Sequence, residues 1–150
     1  MPGISEILDA AHARGSDKKL SYEGEVLPGE AFELLQRVPG VKLVDVRTRA
    51  EWDYVGRIPG AVEIEWEHYP DGNSNPYFME QLRQQVDPES LVLFICRSGN
   101  RSHHAAAAAA AAGYTQSYNV LEGFEGKKDE RNHRNTVGGW RVAGLPWFQG

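Results

Sequence analysis

Cysteine is nearly absent from this 150-residue chain, which has one, Cys96. That scarcity excludes an internal disulfide, a Cys-x-x-Cys redox pair and a multi-cysteine zinc site, leaving Cys96 as either a small buried hydrophobe or a reactive thiol. Long apolar runs are missing too. No stretch approaches the ~18 residues that a membrane-spanning helix requires. Positive charge is in deficit, with 16 Lys and Arg against 21 Asp and Glu for a formal net charge of -5. An acidic chain without a basic run lacks the positive face that displaces counterions from phosphates, so neither a nucleic-acid nor a membrane partner is expected. The first thirteen residues show no positive segment leading into an apolar one, and the expected setting is cytoplasmic.

What is present fits one domain with a real core. Ile4, Ile7, Leu8 and Ala11 fall at helical spacing, predicting a short helix to Ala13 and a loop over Arg14–Lys19. Pro28 opens a second helix through Ala31, Leu34 and Leu35, which Val38-Pro39-Gly40 stops. Val41–Val46 is a buried-strand candidate, and Thr48 with Glu51 forms a capping-box pattern for a helix to Tyr54. Ala61–Glu67 alternates strictly, the period of a half-buried strand, with Glu63, Glu65 and Glu67 expected on its solvated side. After a Pro- and Asn-rich loop, Phe78, Leu82 and Val86 mark a helix ended by Pro88. Leu91–Ile95 is the strongest central-strand signal. Arg101–Ala112, with eight consecutive alanines, is helical by propensity, and Tyr118–Leu121 is a last strand. Strands alternating with helices predict a single α/β domain with a mostly parallel sheet of about five strands and helices on both faces.

Cys96 sits between the apolar strand and the alanine-rich helix, in the segment Cys96-Arg97-Ser98-Gly99-Asn100-Arg101-Ser102. In open α/β sheets ligands bind at the carboxyl ends of the strands. A helix N-terminus supplies unpaired N–H groups, Gly99 and Asn100 let the loop curl so that these groups converge, and Arg97 and Arg101 add fixed positive charge. All three influences favour thiolate over thiol.

The string CRSGNRS resembles the active-site loop of the rhodanese-like sulfurtransferases. Other segments extend the resemblance from about residue 25: Asp45-Val46-Arg47 with Glu51, Gly56-Arg57-Ile58-Pro59-Gly60-Ala61 (where Arg57 stands at a position more often histidine), Val120-Leu121-Glu122-Gly123, and Trp140 with Gly144-Leu145-Pro146. It implies a rhodanese-like domain over residues 25–150, preceded by an extension over 1–24. It also implies that Cys96 is the nucleophile, taking sulfane sulfur from a donor such as thiosulfate as a persulfide and passing it to a thiophilic acceptor, cyanide or a thiol. No cofactor and no metal is implied. Arg97, Ser98, Gly99, Asn100 and Arg101 would hold the donor and persulfide, Arg101 having tying down the loop as its other role, while Asp45, Arg47 and Ser102 would support the loop. A protein acceptor is the other possible partner, and a sulfur-relay or regulatory module serving only that partner is the alternative function. Cysteine-dependent phosphatases and arsenate reductases are a more distant rival. The phosphatases that resemble this fold need arginine at the sixth position after the cysteine, where this chain has Ser102; Arg101 is fifth.

The polar stretch 127–139, which holds Lys127, Lys128, Arg131 and Arg134 against Asp129 and Glu130, departs from the family pattern as a long loop. It is expected to be a flap at the site's mouth, a docking surface for an acidic partner, or a solvated insertion. His103 and His104, adjacent on a helix, point about 100° apart and are not expected to form a ligand pair. The aromatic tail from Trp140 to Phe148 is expected to pack on the domain.

Overall fold

The computed structural model describes residues 3–149. Among them, five helices and five strands alternate: α1 (Ile4–Asp17), β1 (Gly24–Val26), α2 (Pro28–Arg37), β2 (Lys42–Asp45), α3 (Arg49–Tyr54), β3 (Val62–Glu63), α4 (Phe78–Gln85), β4 (Val92–Ile95), α5 (Asn100–Ala111) and β5 (Ser117–Val120). The strands form one parallel sheet in the order β1-β5-β4-β2-β3. This is the expected α/β architecture, with the most apolar strand, β4, at its centre.

Side-chain alternation along the strands divides the core in two. Val44 and Val46, with Val92 and Phe94, point to the face covered by α4 and α5, where they meet Phe78, Leu82, Ala105, Ala106 and Ala109. Leu43, Leu93, Ile95, Tyr118 and Val120 point to the opposite face, against Ile7 and Ala11 of α1, Ala31 and Leu34 of α2, and Phe124 and Trp140. The alanines of α5 have a packing consequence. With Ala105, Ala106 and Ala109 fully buried, the helix lies close enough for Ser117 Oγ to donate to the Ala106 carbonyl at 2.9 Å.

Two expectations need correction, and one strand was not anticipated. α1 continues four residues past Ala13, through the stretch read as a loop, because Arg14 is anchored by Glu30 at 2.7 Å and by the Glu25 carbonyl at 2.8 Å. Tertiary contacts outweigh the glycine at position 15. The strand expected over Ala61–Glu67 is a regular ladder only at Val62–Glu63. Ile64 N and Trp66 N still donate to the Asp45 and Val46 carbonyls, but β2 has ended there and the pairing is irregular. Finally, β1 carries no apolar run. Gly24-Glu25-Val26 becomes a buried strand by pairing with Tyr118-Asn119-Val120. In the tail, Trp140 is buried and donates Nε1–H to the Pro146 carbonyl at 2.8 Å. Phe148 differs from expectation, its ring being half exposed while its backbone exchanges two hydrogen bonds with Arg57.

Candidate functional site

Cys96 follows β4 directly, and the two-residue period puts its side chain on the α5 face with Val92 and Phe94. The residue is 1 % exposed. It is nevertheless not merely a packing residue. Gly99 N–H donates to its Sγ at 3.1 Å, and the Ser102 hydroxyl lies 3.3 Å from the same sulfur. Gly99 reaches the sulfur because it turns the chain into α5 with φ of +110°, a conformation glycine adopts without steric cost.

A residue the sequence reading passed over completes this arrangement. Asn119 lies on β5 beside Phe94 in register, and alternation sends its side chain to the same face as Cys96. Its Oδ1 accepts from Ser102 Oγ at 2.6 Å, and its Nδ2 donates to the Gly99 carbonyl at 3.2 Å. One buried amide thus holds both residues that touch the sulfur. The available signal was a polar residue inside an otherwise apolar strand. Nearby, Tyr22 OH and His103 Nδ1 are hydrogen-bonded at 2.6 Å, and burial, with a contribution from Glu25, pushes the Tyr22 phenol up to about 12. His104 is exposed and meets His103 edge to face.

The loop is braced from behind. Phe124 N–H donates to the Cys96 carbonyl at 2.8 Å, and Glu125 and Gly126 N–H donate to the Arg97 carbonyl at 2.9 and 3.2 Å. The approach is so close that a Cβ on Gly123, whose φ is +62°, would lie 2.5 Å from the Cys96 carbonyl oxygen.

The charged residues divide into two groups. Asp45 and Arg47 are both fully buried: Arg47 Nη2 donates to Asp45 Oδ2 and to the Gly56 carbonyl, each at 2.7 Å, and the guanidinium lies 4.2 Å from the Phe124 ring centre. Arg101, at the start of α5, bonds both carboxylate oxygens of Glu51, at 2.7 and 3.0 Å. Glu51 also caps α3, its carboxylate accepting from Thr48 N–H at 3.1 Å. Burial opposes the charge on Glu51, but the bonds and field of Arg101 prevail and hold its carboxyl below the usual range. Burial likewise opposes the charge on Arg101, and Glu51, aided by the field of Cys96, pushes it above the usual guanidinium value.

Of the residues expected at the site, Cys96, Gly99 and Ser102 come together around the sulfur. Arg97 and Arg101 line a cleft of about 470 Å³ with Thr48, Glu51, Tyr54 and Tyr69. Ser98 lies in the loop between Cys96 and α5, Asn100 opens α5, and Asp45 and Arg47 sit to one side as a buried ion pair. Of the three glutamates in the alternating segment, Glu63 pairs with Arg57 and Glu65 with His68. None of the described residues 127–139 lines the cleft.

Comparison with known proteins adds an independent line. The family model for the rhodanese-like domain matches residues 29–130. The crystal structure of Rv0390 from M. tuberculosis is similar with a TM-score of 0.79 and 45% sequence identity, covering 86% of this chain and 99% of that one. An uncharacterised protein of Rickettsia conorii, RC0915, is 33% identical over 124 residues, 79% of this chain and 91% of its own length. The thiosulfate sulfurtransferase GlpE of Tolumonas auensis is 31% identical over 108 residues, 72% of this chain and 91% of its own.

Proposed function

The chain belongs to the rhodanese-like domain family, which includes sulfurtransferases, and from that premise we propose that it moves sulfane sulfur from a small anionic donor to a thiophilic acceptor through a persulfide on Cys96. The observation that carries the reading is the sulfur itself, held at the end of β4 by Gly99 N–H and the Ser102 hydroxyl.

In the first half-reaction the Cys96 thiolate attacks the outer sulfur of thiosulfate. The S–S bond of the donor breaks, sulfite leaves with the electron pair, and a Cys96 persulfide remains. In the second, cyanide or a thiolate attacks the terminal sulfur, takes it as thiocyanate or a new persulfide, and returns the Cys96 thiolate. Preorganised donors aimed at the sulfur lower the cost of its charge in both halves. Ser102 has a single hydroxyl proton and so serves one acceptor at a time. Asn119 at 2.6 Å is its partner beside a neutral thiol, whereas a charged sulfur competes for the same proton. Arg97, exposed at the cleft, meets the donor's charge, and Arg101, engaged by Glu51, ties down the start of α5.

A thiosulfate:cyanide assay tests the proposal. The wild type produces thiocyanate and gains one sulfur atom by mass after loading, and Cys96→Ser does neither. Wild-type protein that shows no Cys96-dependent turnover and no added sulfur overturns it. Ser102→Ala is expected to slow persulfide formation about a hundredfold, the scale of one lost donor to a developing charge. Stopped-flow loading kinetics reads this directly.

A further inference from the structure

Positive charge is unevenly committed in this acidic protein. Every arginine from Arg14 to Arg57 is held in an ion pair, and so is Arg101. Among the described residues, Lys19, Lys42, Arg83, Arg97 and Arg141 form none and are scattered, whereas Lys127, Lys128, Arg131 and Arg134, which also form none, stand within one stretch of eight residues.

That stretch is a shaped lobe, not a loose loop. Asp129 is its organiser: Oδ1 accepts from Arg131 and His133 N–H at 2.8 and 2.9 Å, and Oδ2 from Thr136 Oγ1 at 2.8 Å. The bonds from the His133 backbone and Thr136 hold its carboxyl below the usual range. Arg134 Nη1 donates to the Gly126 carbonyl at 2.7 Å, closing the base. The surface carries Lys127, Lys128, Arg131 and His133 around a hollow of about 620 Å³, with the carboxylates of Asp129 and Glu130 beside them, and with Arg134 the cations of the lobe outnumber its two acidic groups. The lobe is also rooted on the cysteine loop, since Gly126, which donates to the Arg97 carbonyl, immediately precedes Lys127.

We propose that this lobe is the docking surface for an acidic acceptor protein, which it holds beside Cys96 while a thiol of that protein takes the persulfide sulfur. The inference rests on the sulfurtransferase reading for its chemistry, but its binding step does not. A partner with a negative face complements the unpaired cations, and such pairing accelerates encounter and selects partners. It also explains why the lobe is built stiff, since a surface ordered beforehand pays less entropy on binding.

Fluorescence anisotropy with a labelled glutamate-rich peptide carrying one cysteine tests it, against a serine- and glycine-rich peptide of equal length. The wild type is expected to bind the acidic peptide about tenfold more tightly at low salt, with the preference fading at high salt. Lys127→Glu/Lys128→Glu/Arg131→Glu removes the preference, and the milder Lys127→Gln/Lys128→Gln/Arg131→Gln reduces it. Sulfur transfer from loaded Cys96 to the peptide thiols follows the same ranking, while thiosulfate:cyanide turnover of both variants stays at the wild-type level. Equal affinity for the two peptides, an unchanged preference in the charge-reversed variant, or tighter binding of a single-stranded oligonucleotide overturns the proposal. Peptide preference without any turnover overturns the sulfurtransferase reading alone, and turnover without preference overturns the docking surface alone.

Discussion

Two arginine–carboxylate pairs follow neighbouring strands, and their surroundings make them different devices. Arg47 and Asp45 are 0 % exposed, share further bonds with the Gly56 carbonyl and the Phe124 ring, and touch no cleft. Arg101 and Glu51, 15 % and 18 % exposed, face the cleft that Arg97 also lines. The first pair is fully buried, and each charge has the other as its charged partner. In the second, partial solvation lets the pair answer to pH and to the charge of a bound anion. The same two chemical groups therefore act as a fixed rivet in one place and as an adjustable strut in the other.

Breaking each pair separates these roles. Arg47→Met strands a buried carboxylate, and the expected loss is about 3–5 kcal/mol of stability, read as a lowered urea midpoint. Replacing both partners, as Asp45→Leu/Arg47→Met, recovers most of that loss if the pair is a rivet and nothing more. Arg101→Met costs less, about 1–2 kcal/mol, because Glu51 is partly solvated and still accepts from Thr48. The same variant slows sulfur transfer more than its small stability loss accounts for, which the thiosulfate:cyanide assay measures. The smallest effect is on pH dependence. Since the folded carboxyl of Glu51 lies below its unfolded value, the unfolded chain binds more protons in that window. The stabilisation is present above the usual carboxylate range and is lost as the pH falls through the folded value. Urea midpoints of Glu51→Gln should accordingly decline less between neutral pH and pH ~3 than those of the wild type.

The rivet's partners lie two residues apart, and Asp45 and Arg47 were each legible as supporting residues, though not as partners of one another. The strut was not. Glu51 was readable as a helix cap, but its partner lies fifty residues away, and local spacing carries no trace of that contact. The same limit hid Asn119, whose role follows from β5 lying beside β4 in parallel register. It hid β1 as well, since three residues with a buried glutamate become a strand only through a neighbour at the other end of the chain. Conversely, β4, α5 and the loop between them were legible because each carries its own local cause: an apolar run, a string of alanines, and a glycine where the chain must turn. The lobe at 127–134 was visible as a charged, polar stretch, while the organising role of Asp129 was not, because hydrogen bonding to backbone N–H groups leaves no compositional mark.

The brace behind the cysteine loop has one more effect. A trans peptide unit directs its C=O and N–H to opposite sides. With the Cys96 and Arg97 carbonyls bonded to the turn at Phe124, Glu125 and Gly126, the N–H groups of Arg97 and Ser98 must face away from that turn. Neither unit can flip without breaking those bonds. In the proposed reaction, in which the charge on sulfur moves outward by one atom as the persulfide forms, the peptide dipoles would keep their orientation. The loop behaves as a rigid electrostatic mould, already set before each turnover begins.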